Sequence, residues 1–432
     1  MTWVPIVIAL AGLAYAAFLF ASSRRAPEAW TTPPPGLFYV FVVPCLNEEV
    51  VIGTTIRRLL DLPGPPSAVL VVDDGSDDGT ADVVRSFDPE RVWLLNRELP
   101  EARRGKGAAL NHAYLHLLRS DLLGGRNLED VIVCIVDADG RLARSTLVEV
   151  APMFNDPQLG AVQIGVRMYN AHANLLARMQ DMEFVIFTEI FQRARTQTGS
   201  AGLGGNGQFA RLSALTDLGV APWTDYLTED LDLGLRLLLE GWRTGFCPRT
   251  WVDQQAVTDM PRLLRQRTRW YQGHLQCWSR IPSLIRSRLS WRVAADLTYH
   301  LMIAVGVLLM GIYSLVIIAG IIVGSIIDPE LIREYFLANH GLPLVAWYFA
   351  AFALAWFYAW LYWLATPKLS FWRILLYAHI YCAYTYIWVI CGVRALWRMT
   401  TRSRDGPRPA GPTTCRPAGG AARFLRAIHA VL

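Results

Sequence analysis

The sequence has no paired-cysteine motif. Its seven cysteines, Cys45, Cys134, Cys247, Cys277, Cys382, Cys391 and Cys415, are scattered without a C-x-x-C spacing. Neither a zinc site nor a disulfide framework is encoded, so the thiols are expected to be reduced and structurally passive. Positive charge is missing ahead of the first apolar run, residues 3–21, and Arg24 and Arg25 follow it instead. A cleaved secretory signal needs the opposite order and a small-residue cleavage site. Charge after the run holds that end inside. The expectation is an uncleaved anchor with its amino terminus outside and a polar middle region in the cytoplasm. A basic stripe within a nucleic-acid-binding fold is also lacking. The net charge of +5 comes from arginines at the edges of apolar blocks and in the tail. That arrangement suits membrane lipids with anionic headgroups and no nucleic acid. There is no internal repeat.

What the sequence has in excess is apolar residues, at 53% with a mean hydropathy of +0.27, above the range of soluble domains. They gather in four blocks, 3–21, 297–326, 344–365 and 371–393, almost free of charge apart from Arg373 at an edge. Each is near or above the roughly 20 residues a helix needs to cross a bilayer. The 432 residues therefore divide as an amino-terminal transmembrane helix (1–22), a linker (23–36), a large polar domain (37–260), interfacial amphipathic helices (261–296), about three transmembrane helices (297–394) and an Arg/Pro/Gly-rich tail (395–432). Pro33, Pro34 and Pro35 favour extended polyproline geometry in the linker. The tail composition predicts disorder, with a short amphipathic helix conceivable at 424–432. Four spans from an outside amino terminus leave the tail outside. Arg394, Arg398, Arg402 and Arg404 instead ask for the cytoplasm.

Inside the polar domain, short apolar runs at 38–44, 68–74, 91–96 and 131–139 alternate with helical patterns such as 47–60 and 106–119. Continuously apolar strands are covered on both faces. The alternation predicts an α/β domain with a mostly parallel sheet. Ligands bind beyond the carboxyl ends of such strands, which here carry PCLNEE, DDGSDDGT and DADG. Asp73 and Asp74 end one strand, and Gly75 permits the turn; an ordinary capped turn reads equally well. Asp137 and Asp139, two apart in extended chain, point to one side. Two converging carboxylates are best neutralised by a divalent cation with oxygen ligands, Mg²⁺ or Mn²⁺. In LTEDLDLGLRLLLEGW, residues 227–242, Thr228 is a plausible N-cap and Glu229 and Asp230 complement the helix dipole. Asp230 is also placed to accept a proton from a hydroxyl. GGNGQF, residues 204–209, is either a flexible turn or a backbone that approaches a ligand closely. Gln266, Arg269 and Trp270 share one helix face, with a guanidinium fork that fits a diphosphate and an indole of the kind sugars stack on. Arg262, Arg265 and Arg267 read as interfacial charge.

The ordered set Asp-Asp-Gly-Ser, Asp-x-Asp, Thr-Glu-Asp and Gln-x-x-Arg-Trp, flanked by membrane spans, resembles the family 2, GT-A-fold inverting glycosyltransferases of the membrane-embedded branch. That branch includes cellulose, chitin, hyaluronan and poly-N-acetylglucosamine synthases. The resemblance implies a Rossmann-like GT-A cytoplasmic domain plus α-helical transmembrane segments in the plasma membrane. It implies that Pro44, Asn47, Glu48 and Asp74 hold the uridine of a UDP-sugar and that Lys106 lies near the nucleotide. Asp137 and Asp139 would meet the diphosphate, with Asp139 the main ligand of Mg²⁺ or Mn²⁺. Asn206 would face the sugars. Asp230, beside Glu229, would be the general base. Arg269 would bind the diphosphate, and Gln266 and Trp270 the saccharide acceptor. Transfer from a UDP-sugar would invert configuration and extend a β-linked polysaccharide or oligosaccharide; UDP-N-acetylglucosamine and UDP-glucose lead by analogy. The gating-loop motif Phe-x-Val-Thr-x-Lys of cellulose synthases has no match here, which speaks against a long processive product. Single transfer to a lipid carrier or glycolipid is the alternative. A non-catalytic membrane scaffold is the reading of another class, and it predicts eroded acids. A homo-oligomer or an export partner is compatible with any of these. Trp347, Tyr348, Trp356, Tyr358, Trp360, Tyr362 and Trp363 either line a product path or anchor and pack the spans.

Overall fold

The computed structural model describes residues 4–24, 32–366 and 368–402. Half of the expected linker (25–31) and most of the tail (403–432, including Arg404, Cys415 and the segment 424–432) lie outside the described residues. In chain order the elements are α1 (Val4–Ser23), β1 (Phe38–Cys45), α2 (Glu49–Leu60), β2 (Ser67–Asp73), α3 (Thr80–Arg85), β3 (Val92–Asn96), α4 (Lys106–Arg119), β4 (Val131–Ile135), β5 (Arg141–Leu142), α5 (Thr146–Val150), β6 (Leu159–Met168), α6 (Leu175–Ile186), α7 (Arg193–Thr196), β7 (Gln208–Arg211), α8 (Leu212–Asp217), α9 (Glu229–Leu239), β8 (Arg243–Gln254), α10 (Met260–Gln276), α11 (Ile281–Arg286), α12 (Trp291–Ile327), α13 (Pro329–Ala365) and α14 (Phe371–Arg402).

The strands form one eight-stranded sheet in the order β3-β2-β1-β4-β7-β6-β8-β5. Its first half is parallel: β1 pairs with β2 and β4, and β2 with β3. Its second half is mixed. β7 runs antiparallel to both β4 and β6, β5 is antiparallel to β8, and β6 and β8 are parallel. The parallel half was legible because each strand is a nearly continuous apolar run, and period-2 alternation sends successive side chains into two separate layers. Tyr39, Phe41 and Val43 pack with Ile52, Ile56 and Leu59 of α2. Val40 and Val42 pack with Ala109, Leu110, Ala113 and Leu117 of α4 on the other side. Burial of each such side chain contributes roughly 1.5–3 kcal/mol.

Three of the described helices, α12, α13 and the last, are long and apolar enough to cross a membrane, by length and composition. Their boundaries depart from expectation. The boundary set at 297 falls inside α12, which starts six residues earlier on a Ser290 side-chain cap. The boundary set at 394/395 falls inside α14, so residues 395–402 continue a helix rather than begin a disordered tail. Within α13 the backbone leaves helical geometry at Ala338–Gly341, just before Pro343, so it is two helices meeting at a break. Small residues let the long helices close on one another. A Cβ on Gly311 would stand 2.2 Å from Val389 Cγ2, and one on Gly392 would stand 3.0 Å from the Tyr271 ring. The apolar helix α1 is not among those three; it is fastened to the rest by Tyr15, whose hydroxyl donates to Asp296 of α12 (3.1 Å), and Arg195 of α7 donates to the same carboxylate (2.7 Å).

Candidate active site

The carboxyl ends of β1 and β2 meet in a stitched pair of loops. Pro44 is paired with Val72 in register at the end of β1. Asn47 takes a left-handed backbone (φ +59°), a conformation asparagine tolerates better than most residues. Its amide N–H donates to Ser76 Oγ (2.9 Å), and its Oδ1 accepts from the Asp77 amide (2.8 Å). The Glu48 amide donates to Thr80 Oγ1 (2.8 Å). Asn47 therefore spends one side-chain atom on holding the two loops together and offers only Nδ2 to a ligand. Asp73 accepts from the Ser76 amide (2.9 Å) to close the turn. Asp74 is buried and ion-paired to Arg97, which is itself buried and donates to the Glu101 carbonyl (2.5 Å). Arg97 was not anticipated. Its place directly after β3 is the signal that would have found it, since the other strand ends carry the site.

The Asp-x-Asp pair differs in geometry from the expectation. Strand β4 stops at Ile135, so Asp137 and Asp139 lie in the turn beyond it, not in extended chain. They converge all the same. Enclosure by the surrounding protein, then the Asp137 carboxylate, push the Asp139 pKa up, although Asp139 keeps an exposed face. Glu48 joins them: burial, then Asp139, Asp78 and Asp137, raise its pKa as well. The Asp137 amide donates to Asn206 Oδ1 (3.2 Å), and Asn206 Nδ2 donates to Gln254 Oε1 (3.4 Å). Asn206 is 3% exposed. It braces the Asp137 turn from behind rather than facing solvent.

Lys106 opens α4 and reaches across the cleft. Its Nζ donates to Asp137 Oδ1 (2.5 Å) and to the Gly205 carbonyl (3.1 Å). Burial opposes the ammonium charge, but Asp137, Glu229 and Asp230 outweigh it and hold the pKa above the ordinary lysine value. Gly205 has φ +68°, and a Cβ there would stand 2.8 Å from Asp230 Oδ2. The glycine-rich loop thus presses its backbone against the acid at the start of α9. Thr228 stands at the N-cap position but makes no cap hydrogen bond; its hydroxyl turns to Cys277 Sγ (3.7 Å). Asp230 Oδ1 accepts from the Leu231 amide (2.8 Å) instead. Burial, then the Asp230 carboxylate, push Glu229 up to about 7, and burial raises Asp230 too. Glu229 is the more enclosed of the two, and Asp230 is the one that reaches the surface. Asp232 is fully buried and bound by Arg280 (2.7 Å) and Thr224 (2.9 Å), so that acid is structural.

Helix α10 is capped by Asp259, which accepts from the Arg262 amide (2.9 Å). It crosses the start of α9 at Gly273, where a Cβ would stand 2.6 Å from the Thr228 amide nitrogen. This crossing brings the exposed Arg269 close enough to help hold the Glu229 charge. Trp270 is half-buried, edge-on to Phe184 with centroids 6.1 Å apart. Gln266 is half-exposed on the same helix face. Arg267 overturns its expectation as interfacial charge. It is 1% exposed, donates to Glu183 (2.6 Å) and lies 4.1 Å over the Trp270 ring. Arg262 and Arg265 are exposed, as interfacial residues are.

Among the described residues no group of three or more His, Cys, Asp or Glu is spaced to hold a metal by itself. The oxygen-only pair Asp137 and Asp139 fits a hard divalent cation that completes its shell with substrate phosphates. The described cysteines are all free, as expected.

Residues 34–273, more than half of the chain, match the model of the family described as Glycosyltransferase like family 2. The chain is 33% identical over 279 residues to the β-monoglucosyldiacylglycerol synthase of Synechocystis sp., covering 62% of this chain and 54% of that protein. It is 28% identical over 236 residues to the poly-β-1,6-N-acetyl-D-glucosamine synthase of Staphylococcus aureus, covering 54% and 53%. The chain thus spans about half the length of the curated relatives it matches. A mannosyltransferase of Pyrobaculum calidifontis, solved with GDP-Man and Mn²⁺, superposes with a TM-score of 0.55 at 20% identity, over 91% of this chain and 99% of that one. That likeness shows the GT-A fold.

Proposed function

The chain belongs to glycosyltransferase family 2, and from that membership we propose a membrane-bound inverting glycosyltransferase. It transfers a sugar from a UDP-sugar to a growing β-linked polysaccharide or oligosaccharide at the cytoplasmic face. One observation carries the reading: Lys106, Asp137, the Gly205 loop and Asp230 gather at the carboxyl ends of the strands. Arg269 approaches from the helix seated on the membrane segment. In this reading Pro44, Asn47, Glu48 and Asp74 hold the nucleoside, and Lys106 and Arg269 take the diphosphate. Gln266 and Trp270 meet the acceptor, and Asn206 braces the Asp137 turn behind the sugars.

The acceptor hydroxyl attacks the anomeric carbon from the face opposite the diphosphate. Asp230 takes the hydroxyl proton as the carbon–oxygen bond to UDP breaks, so configuration inverts. Burial and the Asp230 carboxylate raise the Glu229 pKa, which disfavours a second negative charge beside the base. Lys106 and Arg269 face the charge that grows on the departing diphosphate, the kind of fixed electrostatic stabilisation that dominates many rate enhancements. A divalent cation, Mg²⁺ or Mn²⁺, held by Asp139 and Asp137, would supply further charge neutralisation there.

A second reading, single transfer to a lipid hydroxyl, is supported by the seating of α10. Tyr271 donates to the Ala304 carbonyl (2.8 Å), and Trp278 to the Leu301 carbonyl (2.7 Å), both on membrane helix α12. An acceptor at α10 is therefore next to the bilayer. Incubating the protein in lipid vesicles with radiolabelled UDP-N-acetylglucosamine and UDP-glucose separates the readings. Label in a sized water-soluble product supports the first, and label in the organic phase supports the second. No transfer from any nucleotide sugar would leave the scaffold reading. Asp230→Asn is expected to lower kcat by at least about a hundredfold with donor KM nearly unchanged. Unchanged turnover would remove Asp230 as the base.

A further inference from the structure

Lys106 is one of only two lysines in the chain, the other being Lys368, among 41 Lys and Arg residues. A chain that uses arginine for all but two of its cationic Lys and Arg positions uses lysine at this point. A compact ammonium does what a guanidinium fork does not: it fits a small cation seat among oxygens. The geometry is that of such a seat. Nζ is 2.5 Å from Asp137 Oδ1 and 3.1 Å from the Gly205 carbonyl. Asp230 Oδ2 presses on Gly205 from the other side. The root of the side chain is fixed, because Gly107 next to it lies where a Cβ would stand 2.3 Å from the Thr224 carbonyl. The tip is held only by those two hydrogen bonds, and the side chain is 28% exposed.

We infer that Lys106 is a built-in competitor for the metal seat: its ammonium and a divalent cation contend for the Asp137 carboxylate, so tight metal binding requires a diphosphate to draw the ammonium away. The inference rests on the proposed use of a divalent cation. Two positive charges a few ångströms apart on one carboxylate oppose each other by well over a factor of ten in affinity. A nucleotide diphosphate relieves that opposition, and by linkage the metal strengthens nucleotide binding equally. The arrangement keeps the carboxylates from sequestering metal unless the donor is present.

Mn²⁺ binding to the full-length protein in detergent, read by the electron paramagnetic resonance of free Mn²⁺, tests this without turnover. Native protein is expected to bind Mn²⁺ weakly alone and at least about tenfold more tightly with UDP. Lys106→Met is expected to bind Mn²⁺ alone at least about tenfold more tightly than native protein, with a smaller added effect of UDP. Lys106→Arg, which keeps the charge, is expected to stay weak. Equal affinities of native and Lys106→Met protein without UDP would overturn the inference while leaving the metal reading intact. No Mn²⁺ binding to native protein with UDP would overturn both. A measurement on unmutated protein guards against a variant that fails to fold. Because the chain has two lysines, amine acetylation followed by peptide mass spectrometry reports Lys106 against Lys368. Saturating Mn²⁺ is expected to raise Lys106 labelling relative to Lys368, and an unchanged ratio overturns the competition.

Discussion

Glu229 and Asp230 are adjacent acids in different surroundings. Glu229 is 9% exposed, and burial with the Asp230 charge lifts its pKa from 4.5 to about 7. A carboxyl raised on folding favours the fold while protonated. That contribution is fully present below the unfolded value near 4.5 and is lost as pH rises through about 7. Native protein is therefore expected to lose stability between pH 5 and pH 8 relative to Glu229→Gln. Thermal unfolding of the two proteins at both pH values checks this, and parallel pH dependences would contradict it. At this scale the sequence carried residue types but not partners. Asp74 was readable from its motif, whereas its counter-ion Arg97 was not, because the pairing joins the ends of two strands. Arg267 was misread for the same reason. Beside Arg262 and Arg265 it looks like membrane-edge charge, and only the packing of α10 turns it inward onto Glu183.

Among elements, the parallel strands and their following helices were legible because period-2 and period-3.6 apolar patterns are local. The Asp-x-Asp turn was not, since β4 ends at Ile135 for want of a pairing partner beyond it: β1 is matched only as far as Val42, and β7 as far as Gln208. The crossing of α9 and α10 was equally invisible, although it joins two motifs some forty residues apart in the chain. Gly273 is what permits that crossing. Its missing Cβ would stand 2.6 Å from the Thr228 nitrogen and 2.7 Å from Thr228 Cγ2, backbone and branched side chain that cannot swing aside. Leu227 also donates to Gln276 (2.9 Å), fixing the same approach from the other side. Gly273→Ala is expected to cost about 1–3 kcal/mol from overpacking. It is also expected to lower kcat by tens of fold or more as Asp230 and Arg269 move apart. Gly320→Ala, where nothing among the described residues lies within 4 Å, serves as the control and is expected to leave kcat unchanged and cost no stability. Kinetics and thermal unfolding of both variants measure the two effects, and a fully active Gly273→Ala would show that the crossing does not position the site.

Across the whole molecule, the question is how a catalytic domain stays aligned with helices long and apolar enough to cross a membrane. The joint is built on Glu183 of α6. Its carboxylate accepts from Arg267 of α10 (2.6 Å), and from Tyr384 (2.8 Å) and Trp388 (2.9 Å) of α14. One acid therefore ties three elements, two of the catalytic region and one of the membrane segment. Arg267 is buried at 1% exposure, and its Nε and Nη1 have no hydrogen-bond partner among the described residues, so Glu183 is its main compensation. Removing one member of a buried pair leaves an uncompensated charge, at roughly 3–5 kcal/mol. Replacing both by apolar groups avoids that cost. Glu183→Ala is accordingly expected to be strongly destabilised. Glu183→Leu combined with Arg267→Met is expected to recover stability toward the native value, while losing the guanidinium 4.1 Å above Trp270. If the double variant is stable yet has a raised KM for acceptor with donor KM unchanged, the pair orients the Trp270 face. If stability and both KM values return to native, the pair only fastens the membrane helix to the domain. A double variant no more stable than Glu183→Ala alone would show that the Tyr384 and Trp388 donors, not Arg267, set the cost of losing Glu183.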